Sequence, residues 1–104
     1  MLNINFEFRK GIFFIRLIGE MNKENYLHKE NQIKELIFEN QFKYIVLNTN
    51  YINKIDLDGL NYIMEIYYMT KYNNSNLVIC DKTRTIQRLL DGCIPNIKDE
   101  IEVL

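Results

Sequence analysis

From Leu2 to Arg9 apolar and polar residues alternate, with Leu2, Ile4, Phe6 and Phe8 set against Asn3, Asn5, Glu7 and Arg9. This period of two belongs to a strand with one wetted face, here an edge strand. Lys10-Gly11 supplies a short turn, and Ile12 to Ile18 is apolar except for Arg16. A second strand, buried over more of its surface, therefore pairs with the first as a hairpin. Gly19-Glu20-Met21-Asn22 is expected to end that strand, and the side chain of Asn22 can cap a helix from about Lys23 to Asn40. Tyr26, Ile33, Leu36 and Ile37 recur along it at helical spacing. Tyr44 to Leu47 is continuously apolar, as expected of a strand with neighbours on both edges and cover on its faces. A second helix is predicted from about Gly59 to Lys71, a fourth strand at Leu77–Cys80, and a third helix over Thr83–Asp91 with Ile86, Leu89 and Leu90 inward. Ile101-Glu102-Val103 adds a short last strand. One hairpin followed by helix–strand alternation predicts an α/β domain: a mixed sheet of four to five strands with three to four helices packed mainly on one face.

With 104 residues the chain is one domain, residues 1–104, with neither repeat nor linker. Thirteen basic and fourteen acidic residues give a formal charge of −1 without a basic stripe, so neither nucleic acid nor an anionic membrane is indicated as partner. No apolar run is long enough to span a bilayer, and the alternating start does not read as a leader; a cytoplasmic location is expected. Cys80 in an apolar strand and Cys93 after a helix are expected to be buried reduced thiols. His28 is the single histidine, which removes most histidine-based catalysis and zinc chemistry from consideration. Asn73-Asn74-Ser75-Asn76 reads as a loop.

The chemistry concentrates in one turn, Ile55-Asp56-Leu57-Asp58-Gly59-Leu60. It matches the Asp-x-Asp start of haloacid-dehalogenase-type phosphatases, in which one carboxylate attacks phosphate and the other manages its proton beside Mg²⁺. Length argues against that enzyme, as does the polar interruption by Asn50, Asn53 and Lys54 between Leu47 and Asp56. No paired acidic motif follows a later strand. At the start of the second helix Asp58 is expected to act as the N-cap, with Asp56 bracing the turn through local N–H bonds. Two apolar arcs are read on that helix. Leu60, Ile63, Met64 and Tyr67 should face the sheet, and Tyr62, Ile66 and Met69 should face away, exposed for a partner.

Four segments taken together resemble the STAS domain of bacterial anti-sigma factor antagonists along nearly the whole chain. These are Arg16-Leu17-Ile18-Gly19-Glu20-Met21-Asn22, Tyr44-Ile45-Val46-Leu47-Asn48, Ile55-Asp56-Leu57-Asp58-Gly59-Leu60, and Leu77-Val78-Ile79-Cys80 followed by Ile86-Gln87-Arg88-Leu89-Leu90. The resemblance implies a regulatory protein, not an enzyme, with no metal or cofactor. Its partner is expected to be an anti-sigma factor of the serine-kinase type, or another protein of a signalling complex. In that family the second serine of a Ser-Ser-Gly-Leu turn is phosphorylated, and the added charge breaks the partner contact. That serine falls on Asp58 here and the preceding one on Leu57, so a serine kinase has no substrate in this turn. Asn22 stands where the family has Asp. Taken with the exposed arc, the expected partner-binding residues are Asn22, Asp56, Leu57, Asp58, Gly59, Asn61, Tyr62, Ile66 and Met69, with Asp58 equivalent to the phosphosite. An alternative is a STAS scaffold in a stressosome-like or transporter-associated assembly, which needs no serine switch.

Overall fold

The computed structural model describes residues 2–22, 24 and 30–104. Strands β1 (Leu2–Arg9) and β2 (Ile12–Met21) form the hairpin, joined through Lys10 (φ 50°) and Gly11 (φ 81°). Positive φ at both turn positions gives a type I′ turn, whose twist matches that of the strands. Helix α1 (Glu30–Glu39), strand β3 (Tyr44–Ile55), helix α2 (Leu57–Tyr72), strand β4 (Asn76–Cys80), helix α3 (Thr85–Asp91), a 3₁₀ turn (Ile97–Asp99) and strand β5 (Glu102–Val103) follow. The sheet order is β1-β2-β3-β4-β5, with the first pair antiparallel and the others parallel. Among the described residues this is a mixed five-stranded sheet with an N-terminal hairpin and three helices, within the four to five strands and three to four helices expected. Lys23, Tyr26 and His28, in the first part of the expected first helix, lie outside the described residues.

The register explains the core. Phe13, Ile15 and Leu17 of β2 lie beside Ile45 and Leu47 of β3, which lie beside Leu77 and Ile79 of β4, and all are buried. Ile33 and Ile37 of α1, Ile63 and Ile66 of α2, and Ile86 and Leu90 of α3 close over them. Phe6, Phe8, Phe13 and Phe42 stack at the hairpin end, with centroids 4.8–5.6 Å apart.

Several expectations are corrected. β2 does not stop at Gly19 but runs to Met21, because Gly19 (φ 109°) accommodates a register shift that no L side chain would take easily. β3 continues to Ile55, pairing with β4 only as far as Asn48 and with β2 to its end. Beyond Asn48 one edge is open, so Asn50, Tyr51, Asn53 and Lys54 project into solvent and an apolar run is not required. The Asn50 side-chain oxygen fixes this extension by accepting from the Lys82 N–H at 2.7 Å. α3 begins at Thr85, after left-handed Arg84 (φ 61°), and the buried Asp81 carboxylate accepts from the Gln87 N–H at 2.9 Å. Leu89, expected inward, is exposed, and so is Cys93; both cysteines are free thiols.

The largest correction concerns α2. Tyr62, Ile66 and Met69, expected to be exposed for a partner, are 0%, 0% and 7% exposed. At about 100° per residue, the two apolar arcs are not opposite; they are joined through Gly59 and Thr70 into one face roughly 180° wide. Such a face suits the central helix of the layer, which packs against α1, α3 and strands β2 to β4. The outward side carries Leu57, Asn61, Glu65, Tyr68 and Tyr72 instead. Polar ties set the helix in place: Lys34 to Glu65 at 3.5 Å, and the Asn73 side-chain amide donating to the Ile37 carbonyl at 2.6 Å.

Ile66→Ala is expected to lower unfolding stability by about 2–5 kcal/mol as a core cavity, whereas Tyr68→Ala should stay within about 0.5 kcal/mol. Urea titration followed by circular dichroism checks both. Equal small effects would mean that the face around Ile66 is not part of the core.

Candidate functional site

Strands β2 and β3 end side by side, with Met21 opposite Ile55, and the chain turns there into α2. The Asp56 N–H donates to the Met21 carbonyl at 3.1 Å, and one Asp56 carboxylate oxygen accepts from the Gly59 N–H at 2.8 Å. Asp56, in extended backbone (φ −105°, ψ −174°), is therefore the N-cap of α2. The capping role expected of Asp58 belongs to Asp56. The helix begins at Leu57, two residues earlier than expected, which puts Asp58 inside the first turn.

Gly59 has a structural role that the sequence reading took for partner contact. It is buried, and a Cβ at this position would meet the Met21 carbonyl oxygen and lie 2.8 Å from Met21 Cβ. The start of α2 thus rests directly on the end of β2. Only a residue without a side chain permits this approach. In the sequence Gly59 stands at the expected helix start, where a glycine is ordinary; only the earlier start at Leu57 puts it inside the helix, a costly position unless close packing demands it.

The other expected site residues divide by exposure. Leu57 is 69% exposed. Asp56 and Asn61 are also exposed, and Asp58 is half-buried. The Asp58 carboxylate makes no hydrogen bond or ion pair among the described residues, and it sits where the helix dipole favours negative charge. Asn22 is half-buried and shares a cavity of about 170 Å³ with Glu20, Met21, Lys54, Ile55 and Asp56. The stretch expected as a Gly19–Asn22 loop is strand as far as Met21, so it meets the turn as a rigid edge. Tyr62, Ile66 and Met69 are absent from this surface because the core takes them. Lys54, beside Glu20 in the β2–β3 register, is a surface residue that the sequence reading did not assign.

The arrangement presents one exposed leucine among carboxylates on a turn held by backbone hydrogen bonds. Asp56 and Asp58 do stand directly after a strand, as in the Asp-x-Asp enzymes, so that argument against a phosphatase falls with the longer β3. No group of three or more His, Cys, Asp or Glu able to hold a metal ion is found among the described residues. At the far end of α2, Glu100 lies 3.3 Å from Lys71 and holds its ammonium above the usual lysine range, through a hydrogen bond and then through charge attraction.

A mixed sheet backed by helices, with an acidic turn at the strand ends, defines a small α/β domain. The STAS domain family model matches residues 3–96, and the chain belongs to that family. It is 29% identical over 90 residues to an anti-sigma F factor antagonist of Paenibacillus polymyxa, covering 86% of this chain and 77% of the relative. Its fold is similar to that of the anti-sigma factor antagonist SpoIIAA in its unphosphorylated form, with a TM-score of 0.77 at 14% identity over 98% of this chain and 87% of the other. The phosphorylated form of SpoIIAA, a Bacillus cell fate determinant, gives 0.78 at 14% over 98% and 91%. The STAS antagonists that the chain is similar to are regulatory proteins. No helix among the described residues is long and apolar enough to cross a membrane.

Gly59→Ala is expected to cost about 1–3 kcal/mol, since the added methyl must displace the end of β2. Asp56→Ala should cost about 1 kcal/mol through loss of the cap. Thermal and urea unfolding measure both, and an unchanged Gly59→Ala protein would show that the contact with Met21 yields freely.

Proposed function

We propose that this STAS domain is an anti-sigma factor antagonist that acts in the cytoplasm by binding an anti-sigma factor of the serine-kinase type. The interface is the α2 turn with Asn22, Asp56, Leu57, Asp58 and Asn61. The observation that carries the reading is Leu57, a leucine held in solvent on a rigid turn and ringed by polar groups. An apolar anchor with a charged rim is the composition that concentrates binding energy at protein interfaces. The name of the Paenibacillus polymyxa relative supports the choice of partner.

Asp58 then supplies permanently the negative charge that phosphorylation supplies in the antagonists this chain resembles. Its carboxylate is not committed to capping the helix, so it is available to act on whatever approaches the turn. In this reading wild-type protein resembles the switched-off state and binds a kinase-type anti-sigma factor weakly.

Calorimetric titration of such an anti-sigma factor with three forms tests this. Asp58→Asn and Asp58→Ser should each bind about tenfold more tightly than wild type, as removal of an interfacial charge predicts. The serine variant should lose that gain when the kinase phosphorylates it with ATP. Tight binding by the wild type, or no gain from Asp58→Asn, would show that the carboxylate is no phosphoserine mimic. Leu57→Ala should weaken binding in every background by more than about 1 kcal/mol while leaving the melting temperature unchanged.

A second reading, a STAS scaffold in a stressosome-like or transporter-associated assembly, is favoured by one observation. The only serine, Ser75, is remote from the turn and donates its hydroxyl to the Phe42 carbonyl at 2.6 Å. Co-purification with a large assembly, combined with failure to bind any anti-sigma factor, would select it. Mg²⁺-dependent hydrolysis of phosphate esters that Asp56→Asn abolishes would instead restore the phosphatase.

A further inference from the structure

The two edges of the sheet are unlike. β5 has two residues, whereas β1 has eight and pairs with β2 without a bulge from Leu2 to Arg9. Natural sheets usually blunt an exposed edge with proline, a bulge, unpaired charge or a covering element. β1 has no proline, and its two charges neutralise each other, Arg9 Nε lying 3.1 Å from the Glu7 carboxylate.

The hairpin turn fixes which backbone groups are left over. Arg9 and Ile12 flank a two-residue turn and so exchange both of their hydrogen bonds. Asn5, Glu7 and Arg9 therefore direct N–H and C=O toward β2, and Ile4, Phe6 and Phe8 direct theirs outward. Among the described residues no backbone partner for these three lies on the outer side. Their side chains lie at the rim of the core, Ile4 and Phe6 half-buried and Phe8 51% exposed.

We propose that β1 is a self-association edge, pairing antiparallel with β1 of a second copy about a two-fold axis at Phe6, so that two five-stranded sheets become one. This register uses all three outward-facing residues: Phe6 opposes the partner copy's Phe6, and Ile4 opposes its Phe8. The six N–H and C=O groups on each side are then satisfied, and the exposed ring of Phe8 meets an aliphatic neighbour, a favourable cross-strand pair. On the other face Asn5 opposes Glu7 and Asn3 opposes Arg9, so no like charges meet. The α2 turn follows β3, two strands in from this edge, and takes no part in the pairing, which leaves the dimer compatible with partner docking.

Sedimentation equilibrium of the full chain over a range of concentrations tests the pairing, and charge at Asn5 tests the register. Asn5 is exposed but lies opposite Arg16 of β2, so Glu there slightly stabilises and Lys slightly destabilises the hairpin, opposite in sign to the changes expected in association. Asn5→Glu opposes Glu7 twice in the dimer and should weaken association about fivefold or more; Asn5→Lys should strengthen it by a similar factor. In amide hydrogen exchange, protection of Ile4, Phe6 and Phe8 should rise with protein concentration while that of Asn5 and Glu7 stays constant. A wild type that is monomeric at every concentration overturns the proposal. So does a dimer insensitive to position 5, one weakened equally by Glu and Lys, or one whose formation leaves exchange at Phe6 unaffected.

Discussion

The contact of α2 with the end of β2 is the constraint from which the shape of the exposed turn follows. Met21 offers its carbonyl to the Asp56 N–H, and Gly59 lies against it so closely that no side chain can intervene. Asp56 closes the geometry by capping the helix with its carboxylate. Three residues thus join the ladder between β2 and β3 to the helix layer with almost no intervening loop. The short connection leaves Leu57 nowhere to turn inward, because the inward directions of the first turn are taken by Gly59 and Leu60. Exposure of an apolar residue here is a consequence of the packing below it.

That packing depends on α2 being the central helix. A helix at the margin of a layer buries a narrow stripe, whereas one flanked by two others buries about half its circumference. The hydrophobic breadth of α2 is therefore satisfied within the domain, by α1, α3 and the sheet. Its outward side is left with Asn61, Glu65, Tyr68 and Tyr72, so docking energy has to come from the helix start and not from its length. The interface proposed here is correspondingly compact and close to the residue at position 58.

Much of this architecture was legible in the chain. Alternation gave β1, the Lys10-Gly11 pair gave the turn, and helical spacing gave the core positions Ile33, Ile37, Leu60, Ile63 and Tyr67. The misreadings share a cause: each applied a rule about one element without its neighbours. The polar residues from Asn50 to Lys54 disguised a strand because strands paired on one edge do not need to be apolar. Tyr62, Ile66 and Met69 passed for an exposed arc because whether the flanking helices reach them is a tertiary fact. The cap was assigned to Asp58 because two candidates stood two residues apart; extended backbone at Asp56, imposed by its bond to Met21, decides between them.

The displacement of the cap from Asp58 to Asp56 also separates two properties that a single carboxylate would have confounded. Asp56 works for the fold: its charge is engaged by a backbone donor, and its loss is felt as stability. Asp58, in the first turn of the helix, carries negative charge at little structural cost because the dipole favours an anion there. A charge placed at such a position need not rearrange the domain to change what the domain binds. Under the proposed function, a fixed aspartate at position 58 would then set the affinity of the surface for its partner by direct electrostatics, acting across the interface while the core, the cap and the sheet remain as they are.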